Sequence, residues 1–215
     1  MKKFIAKLLV VGSIATGCVY GGKFLNPPPP ILCSGNSCTS ESTQSTVYIA
    51  IAINNEDELR FVQNFIYAIA KKVSDSTIIV DTLNGQNIEN LFSGEASRRS
   101  VQDISTTLKV TPSNANAIVQ AFNRMLEIGD KNRQRPLYAY ILTSGTSDPA
   151  TLAEIHSISV AFAKKKVPNV HFHIVGLPPA HRLEMSKAIA PLDDCMKFSS
   201  ASDGEWVQLL QPLSN

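Results

Sequence analysis

From Val47 onward, short apolar runs alternate with stretches in which hydrophobic residues recur every three or four positions. The run VYIAIAI (Val47–Ile53) has no polar face, which predicts a strand buried on both sides. Between Asp57 and Val73, the residues Leu59, Val62, Phe65, Ile66 and Ile69 fall on one face of a helix. TIIVDTL (Thr77–Leu83) predicts a second strand, and Asn84-Gly85 a turn after it. Gln86 to Val110 is ambiguous, mixing short helical pieces with an edge-strand pattern. Pro112-Ser113-Asn114 opens another helix, with Ser113 or Asn114 as cap, Ile118, Val119, Phe122, Met125 and Leu126 inward, and Gly129 as its stop. LYAYILT (Leu137–Thr143) predicts a strand, and Asp148-Pro149 the cap and first position of a helix reaching Lys166. Asn169–Gly176 predicts a strand, Ala180–Ile189 a helix, Cys195–Ser199 a short strand and Asp203–Leu210 a last helix. Such alternation predicts an α/β fold, a doubly wound, mostly parallel sheet flanked by helices.

The first 46 residues follow other rules. Residues 1–17 (MKKFIAKLLVVGSIATG) carry basic residues, then an apolar stretch from Leu8 to Ile14, then small residues, the layout of an export signal. Ala15-Thr16-Gly17-Cys18 resembles a bacterial lipoprotein lipobox, with Ala15 where a Leu is usual; the resemblance implies lipidation at Cys18, and paired acyl chains hold a protein stably at a bilayer. An uncleaved anchor from Phe4 to about Tyr20 is the other reading, and plain secretion or a buried helix are further ones. Residues 18–46 predict a tether: Pro27 to Pro30 favour a stiff polyproline rod, and the Ser/Thr-rich run after it a flexible one. Cys33 and Cys38 lie in this tether and are expected to close a small disulfide loop in an oxidising compartment, a metal site being the alternative. Cys195 is left as a buried thiol on a strand, although pairing with a tether cysteine stays open. Residues 47–215 make the folded domain.

Composition narrows the function. Of 215 residues, 44% are hydrophobic and 18% charged, which excludes whole-chain disorder and a coiled coil. The formal net charge is +2, and Lys2, Lys3 and Lys7 of the leader supply more than all of it. A near-neutral domain lacks the concentrated basic face that nucleic acid requires, so no nucleic-acid partner is expected. No Gly-x-Gly-x-x-Gly or phosphate-binding loop is present, and no cofactor is expected.

Order and spacing of the elements resemble a von Willebrand factor type A (vWA) domain. The resemblance rests on the apolar first strand and its acidic loop, PSNANAIVQAFNRML (Pro112–Leu126), YAYILTSGTSDP (Tyr138–Pro149) and HFHIVGLPPAHRLEMSKAIAP (His171–Pro191), in that order. It covers Val47 to Leu213. It implies a site at the carboxyl ends of the strands where the family binds a divalent cation through Asp-x-Ser-x-Ser, a Thr and a further Asp. In this chain the first Asp falls at Ala52 or Asn54, and the serines at Asn54 and Glu56 or at Glu56 and Glu58. The Thr is matched by Ser113 and the last Asp by Ser144. With both aspartates replaced, most of the attraction for the ion is gone, so no standard metal site is expected. A shifted site built from Glu56, Asp57, Glu58 and Asp148 is the alternative; helix capping is the plainer reading of Glu58 and Asp148.

Other chemistry is weaker. His171 and His173 share a strand face, as metal ligands do, but have no evident third partner, and structural packing is expected. Ser144 lacks a Gly-x-Ser-x-Gly elbow, because Leu142 stands where the first glycine belongs. An exported hydrolase would need Ser144, His181 and an acid to converge. Trp206 is expected in the core, and Lys164-Lys165-Lys166 at a solvated helix end. The expectation is therefore a membrane-tethered, extracytoplasmic, non-enzymatic module that binds another protein of a cell-envelope complex. Its recognition loops would carry Asn54, Asn55, Glu56, Ser113, Asn114, Ser144 and Asp148. A metal-dependent adhesin with a rearranged site is the main alternative, and a structural subunit is not separable from the first reading.

Overall fold

The computed structural model describes residues 44–72, 76–85, 87–111, 115–167, 169–199, 206–207 and 210. The leader, Cys18, Cys33, Cys38, Ser113, Asn114 and most of the expected last helix lie outside the described residues. No helix among the described residues is long and apolar enough to cross a membrane.

The strands are β1 (Thr46–Ile51), β2 (Thr77–Asn84), β3 (Asn87–Glu95), β4 (Leu137–Leu142), β5 (Val170–Val175) and β6 (Met196–Ser199). The helices are α1 (Glu56–Ala70), α2 (Arg98–Thr107), α3 (Ala115–Lys131), α4 (Pro149–Lys165) and α5 (Pro179–Ile189). The strands form one six-stranded sheet in the order β3-β2-β1-β4-β5-β6. All pairings are parallel except β2 with β3, a hairpin closed at Asn84 and Asn87. Gly85, in its turn, takes φ +57°, a left-handed conformation that glycine adopts without a Cβ penalty.

Helices cover both faces, which is why β1 is apolar throughout. Tyr48, Ala50 and Ala52 of β1 and its loop face the layer of α3, α4 and α5, whereas Val47, Ile49, Ile51 and Ile53 face α1 and α2. All of them are at most 3% exposed, so a one-residue slip would cost both layers. Trp206 packs on the second face against Phe61 and Phe65, its ring centroid 5.8 and 5.5 Å from theirs.

Two expectations change and one ambiguity resolves. The ambiguous stretch before Val110 contains the edge strand β3 and the short helix α2, the two kinds of element its mixed pattern offered. Gly129 does not stop α3, which runs on to Lys131, because its role is packing. A Cβ there would come within 3.3 Å of Leu137 and 3.4 Å of Phe162, so glycine lets α3 lie close to β4 and α4. Cys195 closes a 3₁₀ turn (Ala190–Cys195) instead of opening a strand; β6 starts at Met196.

Candidate functional site

The strand order reverses at β1. The chain winds from β1 to β2 on one side and later places β4 on the other. In open α/β sheets this is where the loops diverge and leave a crevice at the carboxyl ends. Here the two ends are level, with Ile51 opposite Leu142 and the Ala52 amide donating to the Leu142 carbonyl at 2.9 Å. A cavity of about 30 Å³ opens just above, lined by Ala52, Glu58, Phe61, Thr143, Ser144 and Gly176, among others. That is room for a water molecule or a single small group, not for a drug-sized ligand.

Each wall is tied down by its own loop. Asn55 caps α1, its Oδ1 accepting from the Glu58 amide at 2.9 Å. Glu58 folds back in return, its Oε2 accepting from the Asn54 amide at 2.7 Å and from Asn54 Nδ2 at 3.1 Å. This reciprocal arrangement resembles a capping box displaced by one residue, and it holds Asn54 in place. Glu56 and Asp57 are exposed in the first turn beside it.

In the loop after β4, Thr143 Oγ1 accepts from the Gly145 amide and Thr146 Oγ1 from the Asp148 amide, each at 3.0 Å. Gly145 sits at φ +80°, a conformation that favours glycine, and a Cβ there would also press on the Leu177 side chain. Asp148 caps α4, its Oδ2 accepting from the Thr151 amide at 2.9 Å and the Thr151 hydroxyl at 2.6 Å. Those bonds, the hydroxyl first, hold the Asp148 carboxyl below the usual range. A group lowered on folding stabilises above its unfolded pKa of about 4 and loses that contribution as pH falls through its folded value. Asp148→Asn keeps a cap but no charge, so the variant's thermal midpoint is expected to fall less steeply than the wild type's on acidification below pH ~4. Parallel melting curves would refute this.

The loop after β4 is also held from farther along the chain. His181, near the start of α5, places Nδ1 at 2.8 Å from the Ser144 carbonyl oxygen. A carbonyl only accepts, so Nδ1 carries the proton in this bond. His181 and Ser144 therefore do meet, but through the serine's backbone rather than its hydroxyl, and the role is to pin the loop. The segment leading to Ser113 and Asn114 arrives at the same end, since the Thr111 amide donates to the Ile53 carbonyl at 2.9 Å.

The structure thus brings together Asn54, Asn55, Glu56, Ser144 and Asp148 at one end of the sheet. It adds Ala52, Thr143, Gly176 and His181, which sequence reasoning did not place among the binding residues. Of these, Thr143 is the last residue of an expected strand, which the structure ends one residue earlier at Leu142. Among the described residues, no three His, Cys, Asp or Glu side chains converge as a metal group would. His171 and His173 do share a face of β5, and they stack on Tyr138 and Tyr140 with centroids 4.8 and 5.2 Å apart. Burial, with Tyr138 a lesser cause, pushes the Tyr140 phenol far above its ordinary range, as expected for an apolar layer.

Comparison with solved structures gives the same fold. The chain is similar to a von Willebrand factor type A protein from Catenulispora acidiphila, with TM-score 0.60 and 14% identity, over 80% of this chain and 42% of that one. It is similar to BatB from Bacteroides thetaiotaomicron, with TM-score 0.56 and 10% identity, over 79% of this chain and 98% of that one. It is also similar to an aerotolerance-related membrane protein from Bacteroides fragilis, with TM-score 0.55 and 9% identity, over 78% and 99%. Neither a scan against protein-family models nor a search of curated proteins gives a match. The domain has the vWA fold.

Proposed function

We infer that this chain is a protein-binding module of vWA type, held at a membrane by its N-terminal segment with the domain on the extracytoplasmic side, and that it works without a divalent cation and without catalysis. One observation carries the metal-free reading: the crevice has kept its shape but not its charge. A methyl (Ala52) and a neutral hydroxyl (Ser144) face the cavity, at positions where the vWA resemblance implies carboxylates. The remaining carboxylate there, Glu58, is spent on Asn54. Such a donor set does not fit a hard cation, which needs anionic oxygens to offset its dehydration. Likewise His181 meets Ser144 at its backbone carbonyl and not at its hydroxyl, so this contact does not activate the serine as a nucleophile.

The membrane part of the reading is supported by the export-type leader and lipobox-like Cys18, and the disulfide between Cys33 and Cys38 follows from the same compartment. A structural neighbour described as a membrane protein agrees with it. Recognition falls to the loops at Asn54–Glu56, Ser113–Asn116 and Ser144–Asp148, with a protein of a cell-envelope complex as partner.

The test is affinity purification from solubilised membranes with wild type and loop variants. Asn54→Ala with Ser144→Ala is expected to weaken capture of the main partner at least about tenfold while the melting curve stays cooperative. Undiminished capture would reject these loops as the recognition surface. Calorimetry with magnesium, manganese or calcium is expected to show no one-site binding, and a clear isotherm would reject the metal-free reading. The mass of the N-terminal peptide tests acylation at Cys18.

A further inference from the structure

The opposite end of the sheet has its own chemistry. A groove of about 350 Å³ between the end of α1 and the start of α2 is lined by Tyr67, Lys71, Arg98 and Gln102. Lys71 Nζ lies 4.4 Å from the centroid of the Tyr67 ring, and Tyr67 is 50% exposed. No carboxylate among the described residues bridges Lys71 or Arg98. The groove is thus a cationic recess with an aromatic wall, built for an anionic group.

Its place in the fold says which one. The tether joins the domain at this same end, because β1 begins there. Ser45 Oγ lies 2.7 Å from Ser76 Oγ, and the Ala96 amide donates to the Ser76 carbonyl at 2.8 Å, two residues before Arg98. A short chain of hydrogen bonds therefore links the point where the tether enters to the groove. On the other face of the sheet, α3 and α4 end at this same pole in Lys131 and Lys164 to Lys166, which adds bases to the pole. The acid Asp130 nearby is already held by Lys165 and Arg133, each at 2.6 Å.

Bases at helix carboxyl ends have an ordinary explanation in the helix dipole. That explanation fails for α2. Arg98 and Arg99 occupy its amino-terminal turn, which contains no acid, and there the dipole opposes them. Both are exposed, so neither is there for packing.

We propose that this groove seats the headgroups of anionic lipids, laying the tether-side pole of the domain on the membrane surface and presenting the opposite, strand-end loops outward. The proposal rests on the membrane-tethered reading. Tyrosine beside lysine and arginine is the side-chain set that favours the interface, and each basic residue at an anionic surface is worth about fivefold in affinity.

The test uses the full chain with vesicles of phosphatidylcholine, with and without phosphatidylglycerol. Flotation reports attachment, and hydrogen exchange reports the groove. The expected result is flotation with both vesicles, and several-fold slower exchange over residues 67–72 and 97–102 only when phosphatidylglycerol is present. High salt is expected to reduce that protection. Lys71→Glu with Arg98→Glu is expected to abolish it, while Arg60→Glu with Lys109→Glu, the same charge change at the other pole, leaves it intact. Equal exchange on both vesicles, or equal loss in both double variants, overturns the proposal with the tether still standing. Flotation on phosphatidylglycerol alone, lost in the Lys71/Arg98 variant, supports the groove and rejects the tether. No flotation on either vesicle rejects both.

Discussion

Truncating Phe122 to alanine is expected to lower the free energy of unfolding by about 3–5 kcal/mol. The side chain is fully buried in the middle of α3 and meets Phe172 of β5 edge-on, with centroids 5.2 Å apart and planes at 87°. That geometry favours the pair beyond the area it buries. The same cluster contains Ala50, Ala52, Ala117, Ala121 and Ala139. How far the neighbours relax into the space decides where in the range the cost falls. The thermal midpoint is expected to fall by roughly 10 °C, and the urea midpoint to drop at unchanged slope. Phe122→Leu, which keeps most of the volume, is expected to lose much less. A loss under about 1 kcal/mol for the alanine variant would mean that α3 is not packed on this sheet as described.

What the sequence showed, and what it hid, follows from where each element gets its partners. β1, β2, β4 and β5 are covered on both faces, so their runs are apolar almost without interruption and can be read directly. α1 and α3 are long enough for a helical period to repeat. β3 is different: NIENLFSGE mixes exposed and half-buried positions with no fully buried residue, and three exposed residues in a row break its alternation; its strand partner is β2 alone. α2 buries just Val101 and Ile104, too few to set a period. Its start is marked by a capping box of Ser97 and Ser100 instead. Likewise α1 begins one residue before its apolar pattern suggests, because Asn55 sets the boundary. At the site, the positions after β1 and β4 were legible from strand order alone. The clasp of His181 on Ser144 was not, since it joins residues 37 positions apart and leaves no local pattern.

Replacing Arg124 with methionine is expected to cost about 3 kcal/mol, although the residue is on the surface side of α3. The reason lies beneath it. Asp81 of β2 has no exposed surface, an uncommon position for a carboxylate. Its Oδ1 accepts from Asn90 Nδ2 of β3 at 2.7 Å, and its Oδ2 lies 3.6 Å from Arg124 Nε. Burial first, and the Asp81 charge second, hold the neighbouring Tyr48 phenol well above its ordinary pKa. The side-chain interaction of the Tyr48 phenol with Asp81 adds to that shift. Arg124 is thus the cation that compensates a charge sealed in the sheet. Removing it strands the carboxylate, which breaks a buried pair at a cost of about 3–5 kcal/mol; the lower end applies because Arg124 itself is 36% exposed. Removing the carboxylate instead strands no charge, because the guanidinium can turn to water. Asp81→Leu is therefore expected to cost less than Arg124→Met, and the double variant less than the sum of the two. Urea unfolding of the three variants checks the order. If Arg124→Met proves as mild as an ordinary surface change, within about 0.5 kcal/mol, then Asp81 is balanced by Asn90 and the backbone alone, and the α3–β2–β3 clasp is not electrostatic.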